Sequence, residues 1–138
     1  MSYGLATNKV EEIERKKFQT IICDEAHYLK SRVAKRTKAL CPVLQKAKRI
    51  ILLTGTPVLA KPAELYNLLD ILRPDICPPL REFTARYGRD YADARCTDEL
   101  HYLMKTVFMV RRMKKDVLDQ LPDKRRQKIQ IEADAKVV

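Results

Sequence analysis

With 138 residues, 46% of them hydrophobic, the chain suits one domain or part of one, and no apolar run nears the roughly 18 residues that a membrane span needs. Its net charge of +10, from 28 Lys and Arg against 18 Asp and Glu, favours polyanionic partners, nucleic acid first among them. The four cysteines, Cys23, Cys41, Cys77 and Cys96, form no Cys-x-x-Cys pair, and only His27 and His101 add imidazoles, so metal-ligand spacing is absent and the cysteines read as small apolar residues of a reducing compartment.

Residues 2–7 read as the tail of an element that begins upstream, and residues 9–17 as a charged, solvated stretch. Neither holds an apolar signal segment or an Arg-rich amphipathic start, which points to an intracellular protein. Phe18-Gln-Thr-Ile-Ile-Cys23 is short, apolar and β-branched, the pattern of a buried strand, and it stops at two carboxylates, Asp24 and Glu25. Residues 31–47 predict a basic helix with Ala34, Leu40, Val43 and Leu44 inward, ended or kinked at Pro42. Ile50-Ile51-Leu52-Leu53 is a second apolar run without alternation, as in strands covered on both faces of a parallel sheet, and it ends at Thr54-Gly55-Thr56-Pro57, a turn signal. The pattern is a βαβ unit with a polar cluster at each strand end, where ligands of such sheets bind.

The rest is mostly helical. Leu65, Leu68, Leu69 and Leu72 are spaced for a helix over 63–72, stopped by Arg73-Pro74. A short amphipathic helix over 80–87 ends at Gly88, and residues 89–97 read as a loop. Asp98 is placed to N-cap a helix running to Val110. Residues 111–121 predict a basic helix closed by Pro122, and Lys128 to Ile131 alternate as a last strand.

A nucleotide hydrolase needs one carboxylate to hold Mg²⁺, usually through water, and a base to orient the attacking water. Adjacent acids at the end of a buried strand serve both needs, because the chain turns there and both can reach one pocket; a solvated acidic turn is the plainer reading of such a pair alone. His27 is a candidate contact between that site and the next strand end. There the hydroxyls of Thr54 and Thr56 can bond a carboxylate or imidazole, and Gly55 permits close approach. Arg111, Arg112, Lys114 and Lys115 are candidate phosphate contacts, against the alternative of a solvated helix face.

Cys23-Asp-Glu-Ala-His-Tyr-Leu-Lys30 resembles motif II of superfamily-two helicases in its SWI/SNF-type form, and Leu53-Thr-Gly-Thr-Pro57 resembles motif III. Ser2-Tyr3 is similar to a short motif upstream of motif II. Arg111-Arg112-Met-Lys-Lys-Asp-Val117 with Gln120-Leu-Pro-Asp-Lys124 resembles the stretch that closes the first RecA-like lobe of that family. The run Lys61-Pro-Ala-Glu-Leu-Tyr66 resembles the annealing-helicase branch, of the HepA-related and zinc-finger Ran-binding-domain types, although residues 88–97 are shorter than in that branch. The resemblance implies an α/β fold: a partial RecA-like P-loop NTPase lobe with parallel strands in residues 1–58, a mainly helical insertion in 59–126, and a strand or linker in 127–138 leading toward a second lobe. It implies ATP and Mg²⁺ as cofactors, with Asp24 on the metal, Glu25 as general base, and His27 coupled to Thr54 and Thr56. It further implies forked or junction DNA, the second RecA-like lobe and replication-fork proteins as partners, a nuclear location, and the rewinding of DNA at stalled forks.

The only glycines are Gly4, Gly55 and Gly88, so no Gly-x-x-x-x-Gly-Lys-Thr loop is present to cradle phosphates. The expectation is a fragment of the motor, a weak nucleotide binder with negligible ATPase activity by itself. Two other readings stay open: a fragment of a DEAH-type RNA helicase, and a basic module that binds nucleic acid without hydrolysis.

Overall fold

The computed structural model describes residues 1–55, 61–113 and Gln127. The two apolar runs form β1 (Thr20–Cys23) and β2 (Arg49–Leu52), paired in parallel with Thr20 opposite Arg49 and Cys23 opposite Leu52. Between them lies a helix, Lys35–Gln45, numbered α3 after α1 (Tyr3–Asn8) and α2 (Val10–Lys16). The βαβ unit is therefore present. Pro42 sits inside α3 without ending it, although it removes one intrahelical N–H.

Alternation along the strands sends Ile21, Cys23, Ile50 and Leu52 toward the helices and leaves the other face open. Ile22 and Ile51, opposite each other in the register, are 60% and 45% exposed. The expectation of strands covered on both faces fails among the described residues. An apolar run reports the character of both faces but not what lies over them.

Tyr3–Asn8 and Val10–Lys16, to which the sequence assigned no helix, are helical, and as expected neither buries a residue fully. The Ser2 hydroxyl accepts from the Leu5 N–H at 3.3 Å and caps α1. In α2, Glu11 and Glu12 occupy the first turn and Arg15 and Lys16 the last, each complementing the helix dipole. Lys46 on the α3 side pairs with Glu14 of α2. A charged run, acidic first and basic last, thus conceals a helix stabilised by its ends and by docking on α3.

The helical segment holds α4 (Pro62–Leu72), α5 (Leu80–Tyr87) and α6 (Thr97–Leu103), much as the apolar spacing predicts. Pro62 at the start of α4 needs no N–H partner there. Between α5 and α6, Gly88 has φ 89°, and a Cβ at that position would lie 2.4 Å from the Asp93 carbonyl oxygen. Asp93 turns back to accept from the Arg89 and Asp90 N–H groups at 3.0 and 2.7 Å, closing a short 3₁₀ turn over Tyr91–Asp93.

Asp98 is not the N-cap of α6. Cys96 takes that position in the left-handed region at φ 46°, and Asp98 falls in the first turn. Nor does α6 continue unbroken to Val110. It widens into a π turn over Met104–Phe108, closed by the Met109 N–H on the Met104 carbonyl at 2.8 Å. Residues 109–113 are not helical, so the basic helix expected from Arg111 does not begin there. The remainder of that helix and the strand expected at 128–131 lie outside the described residues.

Two cores result. The first joins Cys23, Ala26, Leu29, Leu40, Leu44, Leu68 and Ile71, and the second joins Leu65, Tyr66, Leu69, Phe83, Tyr87, Leu100 and Met104. Helix α4 contributes to both, which fixes the helical segment against the βαβ unit. Among the described residues, no helix is long and apolar enough to cross a membrane.

Candidate functional site

The site is built where β1 stops. Cys23 is the last buried residue of the strand, and Asp24 and Glu25 emerge exposed at its end. Glu25 has φ 50°, a left-handed conformation that costs a non-glycine residue about 1–3 kcal/mol. Local bonds hold it there. The Asp24 Oδ1 accepts from the Glu25 N–H at 2.9 Å, and the following 3₁₀ turn, Ala26–Leu29, buries Ala26 and Leu29 completely.

The backbone ties this turn to the second strand end. The Leu53 N–H donates to the Cys23 carbonyl, and the Ala26 N–H donates to the Leu53 carbonyl, both at 2.8 Å. These bonds bring Thr54 to His27. The His27 Nδ1 lies 3.4 Å from the Thr54 Oγ1 and 3.2 Å from the Glu25 Oε2. A carboxylate only accepts, so the Glu25 contact requires the proton on Nδ1. Glu25 and Thr54 thus meet at a single ring atom of His27, with the Thr54 oxygen a second acceptor of the Nδ1 proton, and this polar path spans both strand ends.

Further contacts fix the turn from its other side. The buried Asn67 of α4 donates its amide to the Leu29 carbonyl, and Lys30 pairs with Glu64 of α4 at 3.1 Å. The Arg32 guanidinium lies over the Tyr66 ring at 5.3 Å. Tyr28 stacks on His27 with ring centroids 4.7 Å apart, and Arg36 covers the Tyr28 ring while donating to the Tyr28 carbonyl at 2.7 Å. Arg36, in the first turn of α3, is therefore occupied with the turn at the strand end.

Glu25, His27 and Thr54 come together, and Asp24 stands beside Glu25. Nothing among the described residues lies within 4 Å of a Cβ built on Gly55, so the close approach expected there is not seen, and Thr56 lies outside the described residues. Arg111 and Arg112 are exposed and line a cavity of about 750 Å³ that also reaches Thr54 and Gly55. Lys114 and Lys115 lie outside the described residues. Sequence reasoning placed Tyr3 and Tyr28 within family-like motifs without giving either a role, and did not single out Asn67. Asn67 had left a trace, a lone amide among the apolar residues of α4.

The chemistry of the donors fits Mg²⁺ held through water. Exposed carboxylate oxygens are its preferred ligands, and Asp24 offers one at an open strand end. Among the described residues no group of three or more His, Cys, Asp or Glu could hold a metal by itself, so a metal here would take its other ligands from water and phosphate. Burial pushes the Cys23 thiol up from its ordinary value, which keeps it protonated and poor as a nucleophile. Burial likewise raises the Tyr3 phenol, with Cys23, Asp24 and Glu25 acting in the same direction.

The model of the SNF2-related domain family matches residues 1–136. Over 145 aligned positions the chain is 41% identical to the Bos taurus protein named DNA annealing helicase and endonuclease ZRANB3, an alignment that covers 94% of this chain and 13% of that protein. It is 42% identical over 120 positions to the Xenopus tropicalis SWI/SNF-related matrix-associated actin-dependent regulator of chromatin subfamily A-like protein 1, covering 81% of this chain and 13% of the relative. With the Caenorhabditis elegans homolog of the latter the identity is 37% over 139 positions, covering 95% and 20%. The chain thus spans 13% to 20% of the length of these relatives. Residues 1–136 take in both strands, the acidic turn and the helical segment, and the chain belongs to the SNF2-related domain family.

Proposed function

We propose that this chain is part of the first RecA-like lobe of an ATP-dependent DNA translocase of the annealing-helicase type. The observation that carries the reading is the polar path Glu25–His27–Thr54 across two parallel strand ends. Such a path joins a carboxylate able to act on water to the strand end that leads into the next segment. The names of the relatives, a DNA annealing helicase and an SWI/SNF-related regulator of chromatin, support DNA as the polymer acted on.

In this reading Asp24 holds Mg²⁺ through water, and Glu25 is the general base that orients the attacking water. His27 reports the state of Glu25 to Thr54 and, through the strand end, to Thr56. When bound, Mg-ATP supplies the phosphoryl group whose transfer to water drives movement. Arg111 and Arg112, with Lys114 and Lys115, contact DNA phosphate. Residues 1–58 belong to the lobe, 59–126 to its helical insertion, and 127–138 lead toward a second lobe. The protein acts in the nucleus on forked or junction DNA, together with replication-fork proteins.

The 138 residues contain no glycine-rich phosphate loop, so this chain by itself should hydrolyse ATP negligibly. The test uses a polypeptide that joins this segment to such a loop and to a second lobe. Glu25→Gln there should lower ATP turnover by at least about 10²-fold, in the range of a lost catalytic base, while nucleotide still binds. Turnover at the unsubstituted rate would remove Glu25 from the mechanism. Stimulation by forked DNA rather than by RNA supports the DNA reading, and the reverse preference would favour an RNA helicase.

A further inference from the structure

Asp24 has a partner that the acid–imidazole–hydroxyl path does not include. The Tyr3 hydroxyl, carried on α1, donates to the Asp24 backbone carbonyl at 2.8 Å, across 21 residues of sequence. The Tyr3 ring lies 5.7 Å from the Tyr28 ring, which stacks on His27. One side chain therefore touches both halves of the site, the peptide unit of the acid and the stack under the imidazole. Its own position is fixed from two sides. Tyr3 packs against the first core, and the Thr7 hydroxyl donates to the Tyr3 carbonyl at 2.8 Å.

The backbone at this point needs such a restraint. Asp24 leads into Glu25 at φ 50°, where the chain is held away from its preferred conformation. The ladder secures Cys23 and Ala26 on Leu53, and Glu25 between them has only local bonds, its N–H on the Asp24 carboxylate and its carbonyl taking the Tyr28 N–H. A donor on the Asp24 carbonyl fixes the peptide plane that joins the two acids. That plane sets the direction in which each carboxylate leaves the strand end.

We propose that Tyr3 is a positioning residue for the acidic pair, holding the Asp24–Glu25 peptide through its hydroxyl and the His27 ring through Tyr28. The role assigned to the pair rests on the function proposed above; the geometry that Tyr3 imposes does not. Tyr3 touches no reacting atom in this arrangement. It acts through Asp24 and His27, so its loss should alter their orientation before it alters the fold.

The test compares Tyr3→Phe, which deletes only the hydroxyl, with Ser2→Ala, which weakens α1 but keeps it. In the 138-residue chain, followed by NMR, Tyr3→Phe should move the Glu25 and Ala26 amide resonances and the His27 ring resonances. The His101 ring, on α6, should stay in place. Ser2→Ala should leave all of these unmoved. In the ATPase-competent polypeptide, Tyr3→Phe should lower kcat and raise the Mg²⁺ concentration for half-maximal turnover, each by about tenfold or more, as loss of a group supporting a metal ligand does, with KM for ATP within about twofold. The proposal is overturned if Tyr3→Phe leaves Glu25, Ala26 and His27 unmoved, or if Ser2→Ala reproduces its effects. If turnover of the unsubstituted polypeptide is absent, the ATPase reading fails, and the NMR comparison still decides the role of Tyr3.

Discussion

The two cores of this molecule are built differently. The first, under β1 and β2, is mostly aliphatic and is bordered by an apolar sheet face that stays open. The second is aromatic. The Tyr66 and Phe83 rings meet edge-on at 5.1 Å, and Phe83 and Tyr87 meet at 4.8 Å. Its rim is tied by Glu99, which accepts two bonds from Arg86, at 2.8 and 2.7 Å, and one from the Tyr87 hydroxyl at 2.7 Å. The first core carries the candidate site and the second carries none of its acids. The difference teaches where rigidity is placed. The helical segment packs on itself and offers α4 as a firm wall, against which the strained acidic turn is braced by Asn67 and Glu64.

The largest test of this division is truncation of the aromatic centre. Phe83, 2% exposed, should cost about 3–5 kcal/mol of stability as Phe83→Ala, read by denaturant unfolding. If the cores are separate units, combining it with Leu40→Ala in the first core should give additive losses within about 0.5 kcal/mol. A larger coupling would show that α4 merges them into one unit.

Gly88→Ala should come next, at about 1–3 kcal/mol, because φ 89° and the close Asp93 carbonyl both oppose a Cβ. Its effect should stay in the helical segment and leave the His27 resonances unmoved. Asn67→Leu should cost about 1–3 kcal/mol by stranding the buried Leu29 carbonyl, and it should move the His27 resonances as well. The pair of variants therefore separates loss of the wall from loss of the brace.

The smallest expected effect is alkaline. Burial pushes the Cys23 and Cys41 thiols up in the first core, and pushes Cys77, beside the second, up to about 11. A folded value above the unfolded one favours the protonated thiol in the native state. This stability is fully present below the ordinary thiol range, about 8.5, and is lost as pH rises through the folded values. The denaturant midpoint should therefore fall between about pH 9 and 11, and Cys77→Ser should flatten the part that belongs to the second core.

Much of the fold was legible because its signals are local. The runs at Ile21-Ile22 and Ile50–Leu52, each ending in polar residues, required strands, and Leu65, Leu68 and Leu69 required a helix between two proline breaks. The α6 region was misjudged because Asp98 has the right chemistry for a cap, but the chain turns into the helix two residues earlier, at Cys96 in the left-handed region. Conformation at a single residue is decided by packing on both sides of it. The helices over Tyr3–Asn8 and Val10–Lys16 were missed because isolated short helices are marginal in water, and their stability comes from docking on α3. Asp24, Glu25, His27, Thr54 and Gly55 stood out because they end strands. Tyr3 was noticed only through the family-like Ser2-Tyr3 motif and Asn67 not at all, since neither residue type is unusual in a helix and their partners are 21 and 38 residues away.

The sequence by itself determined the elements that carry the site, the parallel βαβ order and the acidic pair at a strand end, because periodicity and strand termination are properties of neighbouring residues. Tertiary structure alone decided that Glu25 adopts a left-handed turn, that His27 reaches Thr54 and Glu25 together, and that Tyr3 and Asn67 hold the turn from opposite sides. Those contacts depend on how far helices α1 and α4 slide over the sheet, and that is set by the volumes filling the two cores rather than by any local pattern.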